Sequence, residues 1–384
     1  MDREIAIAAY YEAQPQRKGG RDVFDWAAEA AHGVLDAAGM KKTDVDGLIT
    51  NMAQSGAGST FWSILVSEYL GMSPGWLECI DVGGGSPLAS IARAGAAIKA
   101  GFCNTVLCVM ADASSSSRRS QNLGYRIEFE DPYGPAGPPG LFGLIVNRYK
   151  HQYGDPSEAM CKIAMTQRRH AELNPKALLR TPMTREDYFN SRMIGDGIRL
   201  LDCVMPADGS LAVIVTNGQR AREITNKPVY LTGYSETHNF DGTNLLPDTT
   251  VSGFSIACPR ALEQAGLRVD DVDMFQPYDD FTIAVIMKLE DAGFCKKGEG
   301  RDFVMATDLL YSGKLPLNTG GGQISSGQVG LAAGMIQVVE AVRQLRGEAG
   351  ERQVKNPKNA LVTGIGYVNF LRNWDTSIAG VLEV

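Results

Sequence analysis

Two copies of a nine-residue pattern limit this chain to a fold built from two similar halves. AGMKKTDVD at residues 38–46 and AGLRVDDVD at residues 265–273 share an AG pair and a DVD triplet, at the same spacing and 227 residues apart. The second copy continues into a glycine-rich turn, an apolar helix and a strand-like run, in parallel with the first. The pattern therefore predicts two α/β halves in tandem. The alternative is chance similarity between two common helix–strand units.

Hydrophobic periodicity in the first half alternates between strands and helices. It predicts strands at residues 4–10, 46–52 and 105–111, and helices at residues 22–39 and 86–101. The first helix has an aspartate at its start and a glycine at its end, the residue types that cap helices. This order of elements predicts α/β layers.

The chain is expected to divide near residue 225. Residues 1–225 form the predicted N-terminal half, and residues 226–384 form the C-terminal half. The stretch from about 113 to 200 contains SSSSRRS and DPYGPAGPPG and lacks regular periodicity at its start. It predicts an insertion that covers the core, not a linker between independent domains.

Composition excludes several classes of function. The chain has a net charge of −7 and no basic block, which argues against binding to nucleic acid. Its first residues, MDREIAIAAYYEA, do not resemble a signal peptide, and no apolar run reaches the ~18 residues of a membrane span. The seven cysteines form no CxxC pair, and no metal-ligand constellation is visible. We therefore expect a cytoplasmic protein with no tightly bound cofactor, no metal and no membrane contact.

Several motifs together resemble the thiolase superfamily, in particular its sterol-carrier-protein and lipid-transfer-protein branch. They are DVDGLIT, GGGSPLASIARAGAAIKAG, YDDFT, LEDAGFC, LPLNTGGGQ and EAVRQLRGE, and the resemblance covers nearly the whole chain. It implies a five-layer αβαβα sandwich of two similar halves, a tight homodimer and a CoA thioester as substrate. Arg118, Arg119 and Arg126 are candidates for contacts with the CoA phosphates, although they are equally typical of surface charges.

The three reactive groups of thiolases are missing from the matching positions. The nucleophilic cysteine falls at Gly84, give or take one residue, the histidine at Gln328, and the acid–base cysteine at Gly364. Thiolysis needs a thiolate and a base that generates it. Cys79 is interpreted as a core thiol, and Ser86 as the N-cap of the following helix. Ordinary thiolase chemistry is therefore not expected.

The glycine turns can still bind an oxyanion. Backbone N–H groups at a helix N-terminus stabilise negative charge, as in an oxyanion hole. The alternative is that the glycines serve close packing between helix and strand. The residues assigned to substrate or oxyanion binding are Gly83, Gly84, Gly85, Ser86, Gly322, Gly364 and Gly366.

Two tyrosines are the candidate acid–base groups. Tyr278 lies in the YDDFT segment, where thiolases place a polar side chain over the thioester oxygen, and Tyr367 follows the lost cysteine in GIGY. A phenol there could donate to an oxyanion or, with a lowered pKa, accept a proton. Asp280, Gln328 and His238 complete the predicted catalytic set. For the Asp279–Asp280 pair, a helix cap or a solvated surface position is the alternative.

These parts favour carbon–carbon cleavage without an acyl-enzyme. A β-hydroxyacyl-CoA would undergo retro-aldol cleavage into a ketone or aldehyde and a shorter acyl-CoA. The resemblance points to cysteine-less steroid side-chain aldolases, which work with a small zinc-ribbon/OB-fold partner and would form a heterotetramer with it. Those relatives carry a tyrosine near the turn that contains Gln328. Two alternatives remain: an acyltransferase that cleaves a β-ketoacyl-CoA, and a non-catalytic scaffold that binds CoA esters.

Overall fold

A nine-stranded sheet organises the molecule. The computed structural model describes residues 4–56, 59–117, 132, 134, 137–244, 247–368 and 372–384. Its strands are β1 (Ile5–Glu12), β2 (Gly47–Asn51), β3 (Trp76–Ile80), β4 (Thr105–Ala113), β5 (Met193–Gly195), β6 (Ile198–Arg199), β7 (Asp208–Asn217), β8 (Val229–His238), β9 (Phe275–Gln276), β10 (Asn359–Ile365) and β11 (Thr376–Glu383). The order across the large sheet is β3-β2-β4-β7-β1-β8-β11-β10-β9, and β5 pairs with β6 in a separate hairpin.

The predicted repeat is present in the sheet, because four strands of each half follow the same order with the same directions. Strands β2, β4, β7 and β1 are neighbours in the first half, and β9, β10, β11 and β8 are neighbours in the second. In each set the first two strands are parallel and the other pairs are antiparallel. The sets join where Ala6 pairs with Tyr230 and Ile7 with Val229. The two similar halves predicted from the DVD segments are therefore confirmed.

Helices separate and cover the two halves of the sheet. They are α1 (Val23–Ala38), α2 (Trp62–Tyr69), α3 (Ser86–Lys99), α4 (Pro138–Tyr153), α5 (Ser157–Glu172), α6 (Arg185–Asn190), α7 (Gly218–Ile224), α8 (Phe254–Ala265), α9 (Thr282–Asp291), α10 (Gly300–Ala306), α11 (Gly322–Ser326) and α12 (Gly334–Arg346). Helices α3 and α12 share one hydrophobic cluster with the inner faces of both half-sheets. Helices α1 and α2 pack on the outer face of the first half, and α8 and α9 on that of the second. This arrangement is the predicted five-layer αβαβα sandwich.

The ends of α1 show how the local sequence sets the elements. The Asp22 side chain accepts a hydrogen bond from the Phe24 N–H (2.9 Å), and Gly39 ends the helix with a φ of 62°. A left-handed residue at this position satisfies the last carbonyls and favours glycine. Both caps agree with the sequence-based prediction.

The insertion lies between β4 and β7 and covers the second half of the molecule. It contributes α4, α5, α6 and the β5–β6 hairpin. Phe142 of α4 stacks on Phe281 at 4.1 Å between ring centroids, and its ring also contacts Trp374. Burial of these aromatic rings stabilises the segment that carries YDDFT. The predicted boundary at residue 225 falls just before β8 and stays a prediction.

Candidate active site

A hydrogen bond to Ser86 stabilises the glycine turn before α3. The Ser86 hydroxyl accepts a hydrogen bond from the Val82 N–H (3.0 Å), and the side chain is fully buried. Helix α3 begins at Ser86, with Gly85 as its N-cap. The interpretation of Ser86 as the N-cap is therefore wrong, because Gly85 takes that position and the Ser86 hydroxyl accepts a hydrogen bond within the turn. Its assignment to substrate binding stays a prediction. Gly83 adopts a φ of 64°, which favours glycine.

A tyrosine fills the space where the nucleophile of a thiolase would lie. A Cβ atom placed on Gly84 would lie 2.5 Å from both Cε2 and Cζ of Tyr278. Tyr278 is 3% exposed, and its N–H donates to the Thr363 Oγ1 of β10 at 3.0 Å. The phenol therefore replaces the side chain that residue 84 lacks, and the two residues depend on each other.

The second missing cysteine is replaced by backbone packing. A Cβ on Gly364 would lie 2.7 Å from the Gly85 Cα, and a Cβ on Gly85 would lie 2.7 Å from Ile378 Cδ1. These glycines allow β10 and β11 to approach the turn before α3 closely. These contacts support the packing alternative for Gly85 and Gly364, and their assignment to substrate or oxyanion binding stays a prediction.

Gly366 also has a structural role. Its N–H donates to the carbonyl oxygen of Thr376 at 2.8 Å, so it is not available to an oxyanion as predicted. A Cβ on Gly83 would lie 2.7 Å from the Gly366 Cα, which brings the two turns into contact. The oxyanion role of Gly83 and Gly84 stays a prediction.

Asp279 caps helix α11. Its Oδ1 accepts hydrogen bonds from the Gln323 N–H (2.9 Å) and the Gln337 Nε2 (2.8 Å), and its Oδ2 accepts one from the Ile324 N–H (3.3 Å). A Cβ on Gly322 would lie 2.7 Å from the Asp279 Cγ. Gly322 therefore makes room for this carboxylate, and its predicted role in substrate binding stays a prediction.

Two glutamine side chains surround the Tyr278 hydroxyl. Burial raises the pKa of Tyr278, and the charge of nearby Asp280 raises it further. Hydrogen bonds from Gln328 and Gln323 act in the opposite direction without reversing the shift. The sequence placed Tyr278 and Gln328 in one site, and the structure brings them together. The raised pKa keeps the Tyr278 phenol protonated at neutral pH, which does not favour the tyrosinate base that the sequence allowed.

Gln323 is a site residue that the sequence reasoning missed. Its side chain is fully buried, and its Oε1 has no hydrogen-bond partner among the residues described. Its backbone is held by Asp279, and Gln328 is held by Met205, whose carbonyl accepts the Gln328 N–H at 2.8 Å. The GGGQ sequence could have indicated this site residue, since it places a side-chain amide directly after the glycines.

Asp280 and Lys288 place opposite charges next to Tyr278. Burial raises the pKa of Asp280, and the Lys288 ammonium opposes this shift. Lys288 lies in α9, is fully buried and donates to the Tyr278 carbonyl oxygen at 2.7 Å. The sequence reasoning also missed Lys288. A lysine within the apolar run TIAVIMKLED was the available signal.

Tyr367 and His238 lie nearer the surface. Tyr367 is 46% exposed, and it follows Gly366 at the contact with Gly83. His238 ends β8, with its Nδ1 3.0 Å from Thr376 Oγ1 and its Nε2 3.6 Å from a Glu236 oxygen. Their acid–base roles stay predictions. Arg118, Arg119 and Arg126 lie outside the described residues.

The cysteines offer no replacement nucleophile. Burial raises the pKa of the thiols of Cys79, Cys103, Cys108, Cys161, Cys203, Cys258 and Cys295. A raised pKa disfavours the thiolate that attacks an acyl group. In the described part of the chain, no three His, Cys, Asp or Glu side chains converge as a metal site would require. None of the described helices has the length and apolar character needed to cross a membrane.

Comparison with known proteins agrees with this geometry. The family model described as thiolase C-terminal domain-like matches residues 235–375. The chain is 31% identical to the 17-hydroxy-3-oxo-4-pregnene-20-carboxyl-CoA lyase of Mycobacterium tuberculosis, covering 94% of this chain and 96% of the relative. It is 30% identical to the steroid side-chain-cleaving aldolase of Thermomonospora curvata, covering 93% and 94%.

A solved structure extends the agreement to three dimensions. The Ltp2-ChsH2(DUF35) aldolase superposes with a TM-score of 0.88 at 29% identity, covering all of this chain and 98% of that one. The fold and the site thus define a thiolase-like enzyme without the thiolase nucleophile. The chain belongs to the thiolase superfamily, in the branch that contains the steroid side-chain-cleaving aldolases.

Proposed function

We propose that this protein cleaves the Cα–Cβ bond of a bulky β-hydroxyacyl-CoA, such as a steroid side chain, by a retro-aldol reaction. The observation that carries the proposal is the exchange at Gly84, where the Tyr278 phenol occupies the place of the nucleophile. A site with a buried acid and no room for an acyl-accepting side chain suits a reaction that has no acyl-enzyme. The sequence-based prediction of a CoA-thioester lyase is confirmed by the relatives named above.

In the proposed reaction, the enzyme takes a proton from the β-hydroxyl group of the substrate and delivers one to its Cα atom. The Asp280 carboxylate accepts the proton of the β-hydroxyl group, the Cα–Cβ bond breaks, and its electron pair forms the thioester enolate. The hydroxyl-bearing carbon leaves as a ketone or aldehyde. Tyr278 protonates Cα, and the proton on Asp280 restores the phenol. No oxidant, reductant or free CoA is consumed.

Two features of the site favour this sequence of events. Burial brings the pKa of Asp280 up towards neutrality, where a general base is most effective. The N-terminal end of α3, at Gly84, presents backbone N–H groups and the positive end of the helix dipole to the enolate. A preorganised donor of this kind contributes on the order of 3 kcal/mol to transition-state stabilisation.

Product analysis tests the proposal. The protein would be incubated with a β-hydroxyacyl-CoA whose β-carbon is tertiary and part of a fused ring system, without free CoA. We expect release of the ring ketone together with the shorter acyl-CoA. Cleavage of a β-ketoacyl-CoA with strict dependence on free CoA would support the acyltransferase alternative. Binding of CoA esters without turnover would support a scaffold.

We also propose that the enzyme is a homodimer joined near β3. This strand is at the edge of the sheet, and an unpaired edge strand readily pairs with another chain. Beside it, α2 and its N-cap residue present four exposed large side chains: Phe61, Ile64, Leu65 and Tyr69. An apolar face of this kind on a soluble protein is typical of an interface.

A charge on this face is expected to separate the subunits. Ile64→Lys should convert a dimer into a monomer at micromolar concentration, because a lysine at the interface would have to be desolvated. Light scattering after gel filtration measures the mass. Met305→Lys, an equally exposed residue of α10, serves as the control and should remain dimeric. A wild-type protein that is monomeric at this concentration would contradict the proposal.

The remaining partners are part of the same proposal. The name of the Ltp2-ChsH2(DUF35) aldolase joins two components, which supports a search for a second subunit of the predicted zinc-ribbon/OB-fold type and a heterotetramer. The assay is therefore run with and without such a protein. A CoA thioester as the bound substrate, the lack of a resident cofactor and a cytoplasmic location complete the proposal.

A further inference from the structure

Lys288 is a buried cation that contacts the backbone of Tyr278. Its ammonium lies 2.7 Å from the Tyr278 carbonyl oxygen, 4.3 Å from the centre of the Trp374 ring and 5.1 Å from that of Phe254. The side chain is fully buried in the middle of α9. One strong donor therefore holds the backbone of the residue whose phenol faces Gly84.

Among the described residues, Lys288 has no partner in a close ion pair. Among the residues that the structure describes, no carboxylate oxygen lies within 4.0 Å of its Nζ. The nearby Lys297, in contrast, pairs with Asp291 at 2.6 Å and with Glu290 at 3.0 Å. Burial of a charge without a close partner is costly, and an apolar side chain of similar volume would be more stable there. The lysine at this position therefore indicates a role other than stability.

We propose that Lys288 is a positioning residue of the lyase site, which fixes Tyr278 through its carbonyl oxygen and places a positive charge near the Asp280 carboxyl. The inference rests on the proposed function and names two further parts of the same machinery. The hydrogen bond orients the phenol against Gly84. The positive charge makes Asp280 able to accept the hydroxyl proton near neutral pH.

The electrostatic part of the proposal has a definite sign. Burial raises the pKa of Asp280 and Lys288 lowers it, so loss of the ammonium raises that pKa further. Because Asp280 must be ionised to accept a proton, the rate increases as the pH rises through this pKa. Without Lys288, the acidic limb of the pH–rate profile moves to higher pH. The other titratable groups that act on Lys288 and Asp280 are Asp279 and Tyr278 beside them, Cys258 of α8, Asp291 of α9 and Cys203.

Two substitutions separate the two roles. Lys288→Met removes both the charge and the donor; it should lower kcat at pH 7 by about tenfold or more and move the acidic limb up by about one pH unit. KM for the CoA thioester should stay within about threefold, since Lys288 does not face the substrate. Lys288→Gln keeps an N–H donor for the Tyr278 carbonyl; it should show the same pH shift with the phenol still in place.

A matched control and a second readout make the test decisive. Lys297→Met removes a partly buried ammonium that pairs with the last residues of α9, without touching Tyr278; it should lower the melting temperature and leave the pH profile unmoved. A crystal structure of Lys288→Met should show the Tyr278 ring displaced from Gly84. If the acidic limb does not move and the ring stays in place, the proposal is overturned.

The design also separates this inference from the proposed function. Absence of turnover by the wild-type enzyme, with every β-hydroxyacyl-CoA tried, would refute the lyase proposal alone. The position of the Tyr278 ring in the Lys288→Met and Lys288→Gln structures would then decide the positioning role by itself. An unchanged ring in the methionine variant would reject it.

Discussion

Tyr278→Phe will lower kcat/KM for carbon–carbon cleavage by about 10²-fold or more, the usual scale for loss of an acid–base group. The substitution keeps the ring that fills the space beside Gly84 and removes only the hydroxyl. Gln323 and Gln328 lose a partner in a buried site, which costs about 1–3 kcal/mol of stability per unsatisfied group. The protein should therefore remain folded, with a modest decrease in melting temperature. Rates of ketone release and thermal unfolding measure the two effects.

The same change at Tyr367 is the matched comparison. The sequence treats the two tyrosines alike, but the structure buries Tyr278 and leaves Tyr367 46% exposed. A half-exposed side chain is a weaker candidate for proton transfer in a water-excluded site, so we expect Tyr367→Phe to cost less than tenfold. An equal decrease of kcat/KM in both variants would mean that Tyr367 is also an acid–base group. An unchanged rate in Tyr278→Phe would remove Tyr278 from it.

Much of this architecture could be predicted because it is encoded locally. The caps of α1, the start of α3 and the alternation of strands follow from residue types at fixed spacing. The internal repeat is similar: the Lys42–Asp44 and Val269–Asp271 segments are both single 3₁₀ turns after a helix that ends in glycine. Absence of the nucleophile was equally visible, since it depends on one residue at one position. Local signals of this kind need no knowledge of tertiary contacts.

Roles that depend on contacts between distant segments could not be predicted. Gly364 and Gly366 look like Gly84 in the sequence, yet one packs against backbone and the other uses its N–H within the pairing of β10 and β11. Asp279 and Asp280 are adjacent, and only the fold shows that Asp279 caps α11 while the Lys288 charge acts on Asp280. The sequence shows where a glycine lies, but only its tertiary contacts show whether it allows close packing or offers a backbone N–H group.

The absence of the nucleophilic cysteine at Gly84 and the presence of the Tyr278 phenol in its place are one structural change. In the matching position of a thiolase, a side chain projects from the start of the buried helix; here that volume belongs to a residue from the opposite half of the molecule. Tyr278 reaches it because β9 ends two residues earlier and Thr363 of β10 holds its backbone. A site of this shape leaves no room for an acyl-accepting side chain at residue 84.

Gly84→Ala is expected to disrupt the site and to destabilise the protein by about 1–3 kcal/mol, the usual cost of overpacking a buried position. The new Cβ would lie 2.5 Å from two carbon atoms of the Tyr278 ring, a distance at which one of the groups must move. Because Lys288 and Thr363 hold the Tyr278 backbone, the ring has little freedom to give way. We expect lyase activity to fall by about 10²-fold or more, since the phenol leaves its reactive position. Urea unfolding and the ketone-release assay measure the two losses.

A double-mutant cycle shows whether the steric exchange is the cause. Tyr278→Ala alone should destabilise the protein by about 3–5 kcal/mol through the cavity it leaves. In the double variant Gly84→Ala/Tyr278→Ala the clash is absent, so the loss of stability should be smaller than the two single losses together, by about 1–3 kcal/mol. Gly75→Ala is the control, because a Cβ there meets its nearest neighbour, the Asp46 carbonyl oxygen, at an ordinary 3.7 Å. Additive losses in the cycle would mean that Gly84 and Tyr278 do not share one space, and the structural basis for a reaction without an acyl-enzyme would be lost.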